Sequence, residues 1–238
     1  MSAMALEKVE YSDRGTALTG YLARPAGTPR AAVVVFPTIM NAAPNVLRRM
    51  PMLADAGYLA FMADFYGEPV PDRAAAHGLG TKLREDVGHY RARIAAAIDT
   101  LAAQPERGGL PMAAIGYCMG GQAVLEAARM DADVAIVASF HGILSSSRPA
   151  RAGDAIGARV LVCHGDRDPL VPREQVAAFE EEMDAAGANW HLHVYSGVKH
   201  GFTDPEADSH GLPALGYDAS ADRQSWAAMM SLFDEVFG

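Results

Sequence analysis

A cysteine enclosed by glycines is the strongest chemical signal in the sequence. Cys118 stands in Gly-Tyr-Cys-Met-Gly-Gly at residues 116–121, after an apolar run and before a segment of helical character. This pattern is typical of a nucleophile elbow, a strand-to-helix turn too tight for side chains on either side of the nucleophile. The turn would place the thiol at a helix amino terminus, where the dipole favours the thiolate. We therefore predict that Cys118 is a nucleophile.

An acid and a base follow this cysteine in the chain order that such an elbow requires. Asp166 and Asp168 come directly after an apolar run, and His200 follows the last predicted strand. We predict a triad in which Asp168 orients His200, which takes a proton from Cys118 and later returns it. Asp168 is preferred because it lies deeper in its loop. Asp166 is expected to bond backbone amides of the turn, and it remains the alternative acid.

Further site residues are predicted from their positions next to strands. The backbone amide of Met119, directly after the nucleophile, is expected to face a developing oxyanion. The second oxyanion amide is assigned to Ile39, on the loop that follows the first long apolar strand. Thr38, His141 and Phe202 are the candidate pocket residues.

Other potential ligands in the sequence favour structural roles. His191 and His193 alternate on one predicted strand face, but a third metal ligand is missing at a suitable spacing, so we expect a solvated strand face and no metal. Cys163 lies inside an apolar run and is expected to be a packing residue. The glycines around Cys118 lack the spacing of a phosphate-binding loop, so no cofactor is expected.

Strands and helices alternate along the chain and would bring these residues together. Residues 7–12 and 16–24 predict an antiparallel hairpin, and the apolar run 31–36 predicts a strand buried on both faces. Further strands are predicted at 58–63, 113–116, 134–140, 160–164 and 190–195. This alternation predicts an α/β fold with a mostly parallel central sheet covered by helices on both faces, in one domain over residues 1–238.

Apolar stripes at helical spacing predict the helices of this sheet. One stripe comprises Val87, Tyr90, Ile94, Ile98 and Leu101, and another comprises Trp226, Met229, Met230, Phe233 and Phe237. A helix over 173–186 is expected to end at Gly187. Pro51 predicts that a helix over 45–56 is kinked, shortened or late in starting. Residues 67–80, with two prolines and three glycines, are predicted to form a loop or lid.

Composition restricts the partners and the compartment. The chain has 238 residues, a formal net charge of -9 and no run of basic residues, which argues against a nucleic-acid partner. It has no stretch approaching the roughly 20 apolar residues that span a bilayer, and its start lacks the features of a secretory signal. With two cysteines expected to be thiols, the sequence predicts a cytoplasmic location. A monomer is the default expectation.

Together these motifs resemble the dienelactone hydrolase family. The matching segments are 116–121, Asp-Phe-Tyr-Gly at 64–67, Asp-Pro-Leu-Val-Pro at 168–172 and His-Gly-Phe at 200–202. The resemblance implies an α/β-hydrolase fold and a triad at the positions of Cys118, Asp168 and His200. It also implies a cofactor-free hydrolase that cleaves an ester or a lactone through a covalent thioester.

One departure from the family pattern bears on the substrate. The resemblance implies that members opening dienelactones carry a glutamate against the thiol, where this chain has Thr38. Either His200 acts alone or the substrate differs. Arg73, Lys82 and Arg84 are candidates for the arginine or lysine that would bind a substrate carboxylate. An acyltransferase on the same fold and a noncatalytic small-molecule-binding homologue remain the alternatives.

Overall fold

The computed structural model describes residues 6–238, and its strands form one eight-stranded sheet. In chain order the strands are β1 Glu7–Asp13, β2 Thr16–Ala23, β3 Ala31–Phe36, β4 Tyr58–Met62, β5 Met112–Tyr117, β6 Ile136–Phe140, β7 Arg159–Gly165 and β8 Trp190–Tyr195. Their spatial order is β1-β2-β4-β3-β5-β6-β7-β8. The hairpin β1–β2 pairs antiparallel with β4, and the remaining pairs are parallel. This is the predicted α/β-hydrolase-like sheet.

Helices cover both faces of the sheet. They are α1 Pro44–Leu47, α2 Arg49–Asp55, α3 Arg73–Glu85, α4 Val87–Ala102, α5 Met119–Arg129, α6 Arg173–Ala185 and α7 Ala219–Phe237. Side chains of α3, α4, α5 and α6 form one apolar core against the sheet, and those of α1, α2 and α7 form the core on its other face. The predicted two-sided covering is confirmed.

Strand β3 shows why its sequence is apolar throughout. All six residues of Ala31–Phe36 are fully buried. Because neighbouring side chains of a strand point to opposite faces, alternate residues enter the two cores. A strand between β4 and β5 therefore has no face on which a polar side chain could reach water.

The helical segment before β4 is interrupted three residues before its proline, at Arg48. α1 ends at Leu47 and α2 begins at Arg49, so Pro51 falls in the first turn of α2. The amides of a first turn have no acceptor within the helix, and a proline there sacrifices no helical hydrogen bond. The prediction of a shortened segment is confirmed, with the break at Arg48.

The predicted loop over residues 67–80 is wrong in its second half. α3 begins at Arg73, after Asp72 caps it by accepting a hydrogen bond from the Ala75 amide at 2.8 Å. Both prolines precede this cap, while Gly78 and Gly80 lie inside the helix. Glycine content was misleading here because the helix needs a glycine for packing and not for a turn.

The two histidines of β8 lie on a solvated strand face. His191 and His193 are exposed on the edge strand β8, as predicted for a solvated face. Within residues 6–238, no group of histidine, cysteine or acidic side chains is arranged to hold a metal ion, and no helix is long and apolar enough to cross a membrane. Both cysteines are free. The single domain over residues 1–238 stays a prediction, because residues 1–5 lie outside the described part.

Candidate active site

The Cys118 turn joins β5 to α5 at the carboxyl edge of the sheet. Cys118 has φ 56° and ψ −113°, a backbone conformation that non-glycine residues rarely adopt and that costs about 1–3 kcal/mol. A Cβ on Gly116 would overlap the Gly120 carbonyl oxygen, and a Cβ on Gly120 would overlap that of Phe36. The Cys118 amide donates to the Phe140 carbonyl at 3.0 Å, and its side chain is partly exposed. The turn therefore places Cys118 at the amino terminus of α5, on a backbone that contacts with Gly120, Phe36 and Phe140 hold in place.

His200 and Asp168 form a buried pair next to this turn. The His200 Nδ1 lies 2.7 Å from the Asp168 Oδ2, and each residue is 3% exposed. The other carboxylate oxygen of Asp168 accepts the Leu170 amide at 2.8 Å. The His200 backbone bonds to Ala214 and Gly216 at 3.1 Å each. The imidazole is therefore fixed at its backbone and at one ring nitrogen.

Asp166, the alternative acid, has a different partner. Its Oδ1 accepts hydrogen bonds from the Arg173 guanidinium at 3.0 and 2.7 Å. The expectation that this carboxylate bonds backbone amides of its turn is wrong, because the first turn of α6 brings a cation within reach. Of the two aspartates, the structure brings Asp168 to His200.

The charges of Cys118 and His200 stabilise each other. Burial is the largest single influence and would raise the pKa of the thiol, but His200 and the backbone amides of Met119 and Ile39 together outweigh it, and the pKa is lowered. Burial also opposes the imidazolium, yet the thiolate and Asp168 raise the pKa of His200 to about 10. Among residues 6–238 the His200 Nε2 has no hydrogen-bond partner. We therefore ascribe the mutual pKa shifts of Cys118 and His200 mainly to the attraction between their charges. Such contacts are often misaligned before substrate binds.

The backbone amides of Ile39 and Met119 act on the sulfur of Cys118, and by stabilising the thiolate they lower the pKa of the thiol further. Ile39 lies on a tight loop after β3, in which Asn41 has φ 59° and donates its amide to the Thr38 carbonyl at 2.9 Å. The Thr38 hydroxyl accepts the Met40 amide at 3.2 Å. Thr38 thus stabilises the loop that carries the Ile39 amide.

Asp64 joins this loop to the segment after β4, and sequence reasoning gave it no role. Its Oδ1 accepts the Asn41 side-chain amide at 2.7 Å and the Tyr66 amide at 2.9 Å. The Asn41 Oδ1 in turn accepts the Phe65 amide at 3.1 Å. The signal was present in the Asp-Phe-Tyr-Gly segment, which served only for the resemblance.

Two tyrosines contact the residues that carry the amides. The Tyr66 hydroxyl donates to the Ile39 carbonyl at 3.1 Å, and the Tyr90 hydroxyl donates to the Met119 carbonyl at 2.8 Å. Sequence reasoning counted Tyr90 only as a member of an apolar stripe. A hydroxyl on a helix face packed against the elbow was the missed signal.

His141 and Phe202 lie behind His200. The His141 ring meets that of His200 edge to face, with centroids 5.1 Å apart, and its Nε2 lies 2.9 Å from the Thr203 hydroxyl. Burial lowers the pKa of His141 well below its ordinary value, so this imidazole is neutral. Phe202 is fully buried and packs against His141 with centroids 5.2 Å apart. Phe202 would therefore shape a pocket only through His141.

The three basic pocket candidates all lie on α3. The Arg84 Nε donates to the Gly80 carbonyl at 3.0 Å, and its charge acts on the hydroxyls of Tyr66 and Tyr90. Arg73 and Lys82 occupy other turns of this helix. Arg84 is therefore the candidate whose charge reaches the surroundings of Cys118.

The sheet order and the elbow define an α/β-hydrolase. The sequence profile of the dienelactone hydrolase family matches residues 18–237. The chain belongs to the dienelactone hydrolase family and is a hydrolase of the lactonase and esterase type.

Three relatives show how closely the chain follows this family. A dienelactone hydrolase-like promiscuous phosphotriesterase from metagenomic libraries is 41% identical over the full length of both chains, with a TM-score of 0.93. The solved structure called m3DLH is 36% identical, also over both full chains, with a TM-score of 0.89. A Bradyrhizobium protein named "Probable 2-oxo-3-(5-oxofuran-2-ylidene)propanoate lactonase" is 28% identical over 87% of this chain and 88% of its own length.

Proposed function

We propose that the protein hydrolyses an ester or lactone through a covalent thioester on Cys118. The observation that carries this proposal is the convergence of three features at one sheet edge. These are the thiol of the elbow at the amino terminus of α5, the His200–Asp168 pair at 2.7 Å, and two backbone amides that act on the same sulfur. A nucleophile, a base held by an acid, and donors for an oxyanion are the parts that acyl transfer requires.

In the first half-reaction the Cys118 thiolate attacks the carbonyl carbon and forms a C–S bond. The carbonyl oxygen becomes an oxyanion, which accepts hydrogen bonds from the Ile39 and Met119 amides. The C–O bond to the leaving group then breaks, and the His200 imidazolium gives its proton to the departing oxygen. With a lactone, this alcohol stays attached to the acyl chain.

In the second half-reaction water hydrolyses the thioester. His200, now neutral, takes a proton from the attacking water while Asp168 stabilises the new imidazolium. The C–S bond breaks, the acid is released, and the thiolate–imidazolium pair is restored. The net reaction consumes one water for each ester or lactone bond.

The lowered thiol pKa supports activation without a carboxylate at position 38. A glutamate beside a neutral thiol would serve as a proton acceptor; here the lowered pKa of Cys118 and the raised pKa of His200 both favour transfer of the proton to His200. Thr38 has its hydroxyl engaged with the Met40 amide. We therefore infer that His200 acts as the base alone.

An unsaturated lactone is the first substrate class to test, since the Bradyrhizobium relative is named for such a compound. A phosphotriester is the second, because the full-length relative at 41% identity is described as a promiscuous phosphotriesterase. The thiolate would displace an activated phenolate from phosphorus, and water would then release the phosphoryl group from sulfur.

The cytoplasmic location and the monomeric state stay predictions.

The test compares the wild type with Cys118→Ala on p-nitrophenyl acetate, a dienelactone and a dialkyl p-nitrophenyl phosphate. Cys163→Ala is the matched control, because burial raises the pKa of that thiol to about 12 and keeps it unreactive. We expect Cys118→Ala to abolish turnover and Cys163→Ala to retain it. Substrate should protect Cys118 from iodoacetamide, with the modified residue mapped by mass spectrometry.

The same assay distinguishes the alternatives. Ester or thioester products formed with added alcohols or thiols would identify an acyltransferase. A wild type that binds a lactone tightly and turns over none of the three substrates would identify a noncatalytic binding protein. Equal activity of the wild type and Cys118→Ala would overturn the proposed mechanism.

A further inference from the structure

Two buried tyrosine hydroxyls hold the two residues whose amides face Cys118. Tyr66 donates to the carbonyl of Ile39, and Tyr90 donates to the carbonyl of Met119, at 3.1 and 2.8 Å. The tyrosines are 7% and 2% exposed. A hydrogen bond in such surroundings is stronger than one in water and is costly to leave unmade. The Tyr66 hydroxyl also lies 3.4 Å from the Met119 Sδ, so Met119 contacts both hydroxyls and Ile39 contacts that of Tyr66.

Packing fixes the positions of these tyrosines. The Phe65 ring lies between them, with centroids 6.1 Å from Tyr66 and 6.0 Å from Tyr90. On the other side α3 closes over Tyr66 through Gly80, where an added Cβ would stand 3.1 Å from the hydroxyl and 3.0 Å from the Ile39 side chain. The close packing of Gly80 against Tyr66 and Ile39 therefore leaves no space into which Ile39 could move away from the elbow.

We propose that Tyr66 and Tyr90 are positioning residues that hold the Ile39 and Met119 amides at the separation an oxyanion requires. The proposal rests on the proposed function, in which these amides bind the oxyanion. The tyrosines bond the carbonyl groups of Ile39 and Met119, so the amides of these residues stay available to an oxyanion. Their contribution would appear in the transition state, where small displacements of a donor are costly.

Burial favours the neutral, donating form of the two hydroxyls and exceeds the opposing charge of Arg84. Burial raises the pKa of both tyrosines far above the ordinary value, and the Cys118 thiolate acts in the same direction. The other charged groups that act on them are Arg84, Asp64 and Glu126. The thiolate itself faces the His200 imidazolium, which Asp168 and the neutral His141 contact from behind. Neither tyrosine titrates where the enzyme would work.

The experiment replaces each hydroxyl by hydrogen, in Tyr66→Phe and Tyr90→Phe. Tyr58→Phe is the matched control, because Tyr58 is fully buried and its hydroxyl has no partner among the described residues. We expect kcat for p-nitrophenyl acetate to fall about tenfold or more in each of the first two variants, with KM within about threefold. Tyr58→Phe should keep both values.

A second measurement does not depend on turnover. The amides of Ile39 and Met119 lower the pKa of Cys118, so displacing either amide should raise the pH at which iodoacetamide alkylates this cysteine at half its maximal rate. We expect a higher midpoint in Tyr66→Phe and Tyr90→Phe and an unchanged midpoint in Tyr58→Phe. A merely structural role would lower the thermal midpoint of unfolding without moving the alkylation midpoint.

The two readouts separate the proposals. If the wild type hydrolyses none of the substrates, the proposed function fails, and the alkylation midpoints still decide whether the tyrosines position the amides. If both variants keep the wild-type kcat and alkylation midpoint, the positioning role is wrong. If one of the two variants does not fold, as shown by the loss of its cooperative thermal transition, the other variant still tests the positioning role.

Discussion

Replacing His200 by glutamine tests the charge balance of the site. In the wild type burial raises the pKa of the Cys118 thiol, but His200 and the two backbone amides together lower it below the ordinary value. Without the charge of His200 burial dominates, and the pKa should lie above the ordinary value of about 8.5. An opposite charge within about 4–6 Å shifts a pKa by about 1–3 units. We therefore expect the pH midpoint of iodoacetamide alkylation to rise by about 1–3 units in His200→Gln.

The midpoint is the quantity to compare, because a thiolate of lower pKa is also intrinsically less nucleophilic and a single rate would mix the two effects. His191→Gln is the control, since His191 is exposed on the edge strand β8. Its midpoint should equal that of the wild type. If His200→Gln also titrates like the wild type, the amides alone stabilise the thiolate, and the ion pair inferred above does not exist.

Three further predictions follow from single contacts. Asp168→Asn should lower kcat by about 10²–10⁴-fold by disturbing the imidazole, whereas Asp166→Asn should keep kcat within about twofold; ester hydrolysis measures both. Because the imidazolium has a pKa of about 10, kcat/KM should fall as the pH rises through about 10 and the acid for the leaving group is lost, which a pH–rate profile would show. Gly80→Ala should lower kcat about tenfold by displacing Ile39. Gly78→Ala is the control, because there is open space around the position of its Cβ. It should keep kcat and raise the free energy of unfolding, measured in urea, by about 0.5–1 kcal/mol.

The elbow was readable from the sequence because sterics leave few alternatives there. Gly116 lies too close to the Gly120 backbone, and Gly120 too close to the Phe36 backbone, for either to carry a side chain. The spacing of the two glycines therefore predicted the tight turn from the sequence. The strand 31–36 was equally readable, since a strand buried on both faces admits only apolar side chains. Where one physical requirement fixes several neighbouring residues, sequence reasoning succeeded.

Contacts between distant segments could not be read in this way. The bond from Tyr90 to Met119 joins residues 29 positions apart, and that from Asn41 to Asp64 joins residues 23 apart. A tyrosine in an apolar stripe looks like a packing residue until its hydroxyl meets an acceptor. The start of α3 at Arg73 was missed for a related reason, because Gly80 of that helix serves packing against the loop that carries Ile39.

The neutral state of His141 belongs to the same charge balance as Cys118 and His200. The two imidazole rings meet at 5.1 Å, so a second cation at His141 would oppose the His200 imidazolium and, through it, the thiolate. Burial prevents this by keeping His141 uncharged. Thr38 adds no negative charge, whereas a glutamate at this position would compete with the thiolate for the same cation. Among the described residues, Cys118 and Asp168 are the acidic groups that raise the pKa of His200, and this arrangement would stabilise a thiolate without a further carboxylate to remove its proton.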